Sequence, residues 1–259
     1  MSLPKMNSIK FLGTSGGRFV LIRQIRKSGG IWFNFDNTNF LIDPGPGSLI
    51  NSLNSKPKLN PRDLDGIILT HRHLDHSNDV NLMIEAMTNG GWDKKGIIFA
   101  PSDALYDDPV ILEHFRNHVD KIEILKEKGT YKIGNIRFET PVKHIHGVEA
   151  FGLNIYHKNY KISLITDTKY FENIESFYEG DIIIIHLVMF IGKDHILHLD
   201  YKDVKKILSI NKPKLCILTH FGLTMIKANP NKVAKKLKKE TGVNVIAAHD
   251  GLTIDLDKI

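Results

Sequence analysis

Residues 68–76 read ILTHRHLDH, and the reading of this stretch decides the reading of the chain. A β-branched run, DGIILT (65–70), leads into three histidines and an aspartate, His71, His73, Asp75 and His76, within six positions. The segment NDVNLMIEAM (78–87) that follows has the apolar spacing of a helix. On an extended or looped segment, side chains two residues apart turn to the same side, so His71 and His73 can share one metal ion. A turn into a helix starting near Ser77 then swings Asp75 and His76 toward a second ion. The competing reading is a hydrated loop rich in imidazole. It is the better one for a lone histidine, but an ordered His-x-His-x-Asp-His pattern behind a buried strand reverses the preference. Arg72 and Leu74 become spacers that point away.

The bulk of the sequence is that of an ordinary α/β protein. Its 259 residues suffice for one large domain spanning 1–259, and 42% hydrophobic with 25% charged residues excludes disordered and fibrous classes. The longest apolar run, DIIIIHLVMFIG (181–192), is too short to span a bilayer. The N-terminus reaches IKFLG without the apolar stretch of a signal peptide, and Cys216 has no second cysteine to pair with, so a cytoplasmic location without a membrane partner is expected. A net charge of +6 favours anionic partners, nucleic acid included. Much of that excess is scattered lysine. The basic run NKVAKKLKKETG (231–242) has core-facing Val233, Ala234 and Leu237 and reads first as a solvated helix face.

Strand signals come early: SIKFLGT (8–14), GGIWFNFDN (29–37) and TNFLIDPG (38–45), with a hairpin at FDNTNF (35–40). KGIIFAP (95–101) reads as a buried strand, and DPVILEHFRNHV (108–119) as a helix starting near Asp107 or Asp108. Short strands with turns at Gly129 and Gly134 fill 122–144, and AFGLNIYHKNYKISLITDT (150–168) reads as a hairpin through HKNY. Strands DIIIIH, KLCILTH and NVIAAHDG then alternate with helices YKDVKKILSI and NPNKVAKKLKKETG. The two halves share a rhythm without a fixed-period repeat. His114, His118 and His157 fall on helix or hairpin positions and read as surface. GTSGGR (13–18) reads as a tight turn whose amides or Arg18 could meet an anion; it lacks the Gly-Lys-Ser/Thr ending that ATP use would require.

The chemically interesting residues share a position. His71, Asp167, His220 and His249 each end a short β-branched strand: IILTH, SLITD, CILTH and VIAAH. Sites in α/β folds gather where such strand ends converge. The His71–His76 cluster alone does not fill two coordination shells. His144 or His146, Asp167 and His220 are the candidates for the rest, with Asp167 as a shared carboxylate. Two ions about 3.5–4 Å apart can clamp a hydroxide and both oxygens of a displacement.

At this point the sequence resembles the metallo-β-lactamase superfamily along nearly its whole length. FLGTSGG and FLIDPGPG look like its opening strands, ILTHRHLDH its signature, HGVEAFG its third-histidine motif, LITDT its bridging-aspartate motif, LTHFG its late-histidine motif and AHDGLTI its closing strand. The resemblance implies an αββα four-layer sandwich with two divalent ions on its edge, usually zinc, with manganese or iron as alternatives. It is similar above all to ribonuclease Z and related phosphodiesterases, whose His-x-x-Glu-x-x-Gly stretch falls on His146, Glu149 and Gly152. That alignment selects His146 over His144. It assigns His71, His73 and His146 to one ion, Asp75, His76 and His220 to the other, and Asp167 to both. Oxygen-reducing di-iron relatives carry an acidic residue where His73 stands, so the pattern looks hydrolytic, with a metal-bridging hydroxide as nucleophile.

Departures narrow the substrate. The tRNA-grasping arm that ribonuclease Z inserts between its third histidine and bridging aspartate is absent, since only twenty residues separate His146 from Asp167. The family's His-Glu-Ala-Thr stretch reads HLVM here, keeping His186 but replacing the acidic partner with Leu187. For protonation of the leaving group His198 ranks first, His186 second and His195 third. His249 and His144 remain as supporting or substrate-contacting residues. The expected substrate is a small or cyclic phosphodiester, a nucleotide or an RNA end. The alternatives are a carboxylic ester, thioester or lactam on the same scaffold, and a non-catalytic metal- or nucleic-acid-binding module. Oligomeric state is not written in the sequence; a homodimer is compatible with it.

Overall fold

The computed structural model of the chain describes residues 7–106, 108–158 and 160–259. Among these, the early strand signals assemble into a seven-stranded sheet ordered β14-β1-β2-β3-β4-β5-β6. Its members are β1 (Ser8–Phe11), β2 (Ile31–Phe35), β3 (Thr38–Ile42), β4 (Gly66–Ile68), β5 (Ile97–Ala100), β6 (Lys121–Ile124) and, from the chain end, β14 (Thr253–Asp255). The second sheet, ordered β13-β12-β11-β10-β9-β8-β7, comprises β7 (Gly129–Ile133), β8 (Ile136–Thr140), β9 (Leu153–His157), β10 (Tyr160–Ile165), β11 (Ile182–His186), β12 (Leu215–Thr219) and β13 (Val245–Ala247). Helices α1 (Arg18–Ile22), α2 (Ser48–Leu53), α3 (Leu74–Ser77), α4 (Val80–Met87) and α5 (Glu113–Arg116) belong to the first half. The second half supplies α6 (Ile174–Phe177), α7 (Tyr201–Asn211), α8 (Leu223–Ala228) and α9 (Pro230–Thr241).

The strands are apolar on both faces because both faces are covered. In β11, Ile182 and Ile184 enter the core between the sheets, while Ile183 and Ile185 enter the cluster under α7 and α9. In β3, Phe40 and Ile42 face inward and Leu41 faces the helices, where it joins Val80, Met83, Ile84 and Met87 of α4. This period-2 division makes the four-layer αββα sandwich. Each isoleucine removed from water in this way contributes about 1.5–3 kcal/mol. No helix among the described residues is long and apolar enough to cross a membrane.

The shared rhythm of the two halves has a topological counterpart. An antiparallel meander β1-β2-β3 passes into parallel β4, β5 and β6. The meander β8-β9-β10 passes likewise into parallel β11, β12 and β13. Equivalent strand ends therefore meet at one edge of the sandwich.

Two local expectations change. The helix expected over 108–119 shortens to α5, because the Asn81 side chain donates to Val110 O at 2.8 Å and accepts from Leu112 N at 3.0 Å, pinning that segment in a non-helical path; Asp107 lies outside the described residues. The expected β9–β10 hairpin forms, pairing His157 with Tyr160, with Asn159 outside the described residues. His157 is buried, not on the surface. Strand alternation places it on the inward face with Leu153 and Ile155, stacked on Phe35 at 4.5 Å with Nε2 3.1 Å from the Asp36 carboxylate. Of the other two, His114 is exposed and His118 half-buried.

Candidate metal centre

β4 delivers the main cluster. Beyond Ile68 the chain stays anchored on both sides, with Leu69 N donating to Phe99 O at 2.8 Å and Phe151 N to Thr70 O at 3.1 Å, and His71 emerges fully buried. His73 keeps an extended backbone and caps α3, its carbonyl accepting from the amides of His76 and Ser77 at 2.9 and 3.0 Å. Asp75 and His76 thus project from the first turn of α3, which starts at Leu74 rather than near Ser77. Leu74 is 65% exposed and Arg72 turns to Asp103, its Nε 3.5 Å from Oδ2, so both spacers point away from the cluster.

The other strand ends bring in the rest. Asp167 follows β10, His186 ends β11 and His220 follows β12. His220 adopts a left-handed backbone (φ 58), an unfavourable state for a residue with a Cβ. It is held there by Phe221, whose amide donates to Thr14 O at 2.9 Å and whose carbonyl accepts from Gly16 N at 3.1 Å. Gly16 is required for this approach, since a Cβ there would collide with the His220 carbonyl. His146 is carried by the 141–150 loop. Glu149 fastens that loop by accepting from Ser102 N at 2.9 Å and Ser102 Oγ at 2.6 Å.

Two triads result, facing one carboxylate. In the first, His146 Nε2 lies 3.0 Å from His73 Nδ1, and His71, His73 and His146 form a cluster able to hold an ion. In the second, His76 Nε2 lies 3.2 Å from His220 Nε2, and Asp75 Oδ2 is 3.4 Å from His220 Nε2. Asp167 Oδ2 sits between them, 3.9 Å from His71 Nε2 and 3.5 Å from both His76 Nε2 and His220 Nε2.

These residues fit metal ions. Ligand atoms bound tetrahedrally at about 2.0–2.1 Å are separated by about 3.3 Å, close to the nitrogen–nitrogen distances here. His71 Nε2 is buried and has no hydrogen-bond partner, a costly state for a polar atom unless a cation takes its lone pair.

Supporting groups set the ring orientations. Asp43, at the end of β3, accepts from Thr70 N and Thr70 Oγ1, both at 2.7 Å, and lies 2.9 Å from His76 Nδ1. A carboxylate on the far nitrogen fixes the tautomer that presents Nε2 to an ion. His186 Nδ1 is 3.0 Å from Asp167 Oδ1, which leaves Oδ2 for the triads. Gly17 N donates to Asp75 Oδ2 at 3.1 Å, so the amide of the expected tight turn meets a candidate ligand.

Electrostatics divide the triads. Burial lowers the pKa of His71, His73 and His146. Burial also opposes protonation of His76 and His220, but carboxylates overcome it: Asp43 and Asp75 raise His76 well above its usual value, and Asp167 raises His220 to about 9. Asp75 and Asp167 are held far below the usual carboxylate range, since the surrounding histidines outweigh their desolvation.

The remaining candidates separate. His198 stands on the open side with Nδ1 3.5 Å from Asp167 Oδ2, its side chain 19% exposed, while His186 is buried behind Asp167. His195 is exposed. His144 points inward, its Nε2 2.6 Å from Tyr178 Oη and its Nδ1 3.3 Å from the Asp167 carbonyl, and burial lowers its pKa to about 3. His249 is exposed with Nδ1 against the Asp250 carbonyl, while Asp250 accepts from Thr14 and Lys27 and so ties down the 13–17 turn. Asp43 and the orienting position of His186 escape sequence reasoning. Asp43 did carry the signal, being polar at the end of a buried strand in FLIDPG.

Comparison with known proteins gives this arrangement a context. Residues 38–221, more than half of the chain, match the family described as the Beta-lactamase superfamily domain. The metallo-β-lactamase fold protein YhfI from Bacillus subtilis superposes with a TM-score of 0.77 at 19% identity, covering 96% of this chain and 99% of that one. A diphosphatase of the PhnP family gives 0.69 at 18% identity over 95% and 96% of the two chains. The short form of human tRNase Z gives 0.68 at 16% identity over 95% and 98%.

Proposed function

Because the chain belongs to the β-lactamase superfamily, we propose that it is a metal-dependent hydrolase with two divalent ions, zinc first among the candidates, acting on a phosphodiester. The observation that carries this reading is Asp167 Oδ2 within 3.5–3.9 Å of nitrogens from both triads, which suits one carboxylate shared by two ions. Bound there, two cations supply Lewis acidity toward water and toward a phosphoryl oxygen. His71, His73 and His146 would hold one and Asp75, His76 and His220 the other.

The chain's own groups do the positioning. His186 holds Asp167 by Oδ1, and Asp43 holds His76 by Nδ1, so neither ligand needs to reorganise when an anion binds. His198 is the group placed to exchange a proton with a leaving oxygen, being at once partly exposed and beside Asp167. Burial lowers its pKa, which works against the protonated form that donation to a leaving oxygen requires. His186, enclosed behind Asp167, suits orientation better than proton donation.

The phosphodiester reading draws on the diphosphatase and tRNase Z likenesses, at the level of fold, and on the net charge of +6. A small or cyclic diester, a nucleotide or a single-stranded end suits a chain whose third-histidine and bridging-aspartate segments are joined only by the β9–β10 hairpin. The test is turnover of bis(p-nitrophenyl) phosphate by zinc- or manganese-loaded protein, alongside a β-lactam and a thioester. Hydrolysis of the diester is expected; turnover of the carbonyl substrates alone overturns the assignment.

A further inference from the structure

The charge of the molecule is concentrated in one layer. Residues 201–244, which contain α7, α8 and α9, hold eleven lysines against two acids, Asp203 and Glu240, for a net charge of +9, whereas the whole chain carries +6. The remainder is therefore net −3, so the lysines do not reflect a uniform compositional bias. All eleven are exposed.

The helices organise these charges. In α9, Lys232, Lys235, Lys236 and Lys239 follow the i, i+3, i+4, i+7 spacing of one helix face, opposite the buried Val233, Ala234 and Leu237. In α7, Lys202, Lys205 and Lys206 do the same, opposite Val204, Ile207 and Leu208. The two faces adjoin, since Lys205 of α7 pairs with Glu240 of α9 at 3.0 Å and Lys236 lies over the Tyr201 ring at 4.8 Å. Among the described residues, no carboxylate lies within ion-pair distance of Lys202, Lys232, Lys235 or Lys239. Like charges gathered without counter-ions destabilise a fold mildly, and an anionic polymer relieves that repulsion.

We infer that the outer face of α7 and α9 is a docking surface for the phosphate backbone of nucleic acid. A membrane suits it less well, because the large apolar side chain exposed on these two helices is Ile210 alone, and interfacial helices need an apolar face to bury. Without exposed aromatic rings there to stack on bases, recognition runs through charge and is indifferent to sequence. The surface also leads to the metal centre, since α7 starts at Tyr201, directly after the segment carrying His198. The inference concerns binding and stands whether or not the bound strand is cleaved.

The test is fluorescence anisotropy of a labelled 20-nucleotide single-stranded RNA with the full chain at 50–200 mM salt. If Lys202, Lys232, Lys235 and Lys239 each neutralise a phosphate, affinity falls about fiftyfold across that range, from a slope of about −0.7 per contact. In the K202E/K232E/K235E/K239E variant, RNA affinity at 50 mM salt should fall at least tenfold and the salt dependence flatten, with bis(p-nitrophenyl) phosphate turnover unchanged. The corresponding glutamine variant should lie between. RNA binding by the glutamate variant within twofold of the parent overturns the inference, as does binding that is insensitive to salt. Preferential retention of the parent chain on phosphatidylserine vesicles rather than RNA overturns it in favour of a membrane surface.

Discussion

The two triads differ in what holds them ready. The first is made of three imidazoles, His71, His73 and His146, that burial keeps neutral, and one of their nitrogens has no partner within the protein. The second contains Asp75 and is backed by Asp43, and these carboxylates with Asp167 raise the pKa of its two histidines. In one subsite burial favours free lone pairs; in the other, surrounding carboxylates favour positive charge. Similar imidazoles at one edge of one sandwich acquire opposite character from the number of carboxylates around them. The uptake of a cation should therefore depend differently on pH and on supporting residues at each subsite.

The largest expected effect erases the distinction. Asp167→Ala removes the carboxylate facing both triads, so zinc content should fall below one equivalent by elemental analysis. Diester turnover should fall by about three orders of magnitude or more, in keeping with the loss of a shared charge from a preorganised site. Retention of two equivalents with full turnover would sink the two-triad assignment.

A narrower change separates the subsites. Asp43→Asn deprives His76 of the carboxylate on Nδ1 and reaches the first triad only through Thr70, whose Oγ1 lies 3.1 Å from His71 Nδ1. Affinity at the second triad should fall about 10–100-fold, the usual cost of losing an orienting partner, with a smaller loss at the first triad. Competitive chelator titrations in H73A and H220A backgrounds read each subsite alone, and equal losses at both would contradict the separation.

The pH dependence sharpens the contrast further. His220 is raised from about 6.5 to about 9, so in metal-free protein its proton stabilises the fold fully below pH 6.5, and that contribution is lost as pH rises through 9. A cation at the second triad must displace that proton, so affinity there should rise by about tenfold per unit between pH 7 and 9. The first triad, with its histidine pKa values lowered by burial, should change little over the same interval. Parallel profiles in the H73A and H220A proteins would remove the electrostatic distinction.

How much of this was legible in the sequence follows from how local each cause is. The layers could be read because alternation within β3, β10, β11 and β12 is a property of neighbouring residues. His71, His73, Asp75 and His76 could be read because they are consecutive at a strand end, and Asp167 and His220 because each ends an apolar run. The choice between His144 and His146 needed a family resemblance, since both are two residues apart in one loop. In the structure Tyr178 takes His144 inward at 2.6 Å, while Glu149 pins the loop that brings His146 to His73. His157 was misread because its burial comes from the opposite sheet, through Phe35 and Asp36.

The sequence by itself determined the periodicity of the strands, the chemistry of the candidate ligands and the charge of the final helices, most of which is written in neighbouring residues. The tertiary structure alone decided that Asp43 backs His76, that His186 orients Asp167 while His198 stays open, and that the lysines of α7 and α9 share one face. Those relations join residues that the chain separates by many positions, and only the pairing of strands and the packing of helices bring such atoms within a few ångströms.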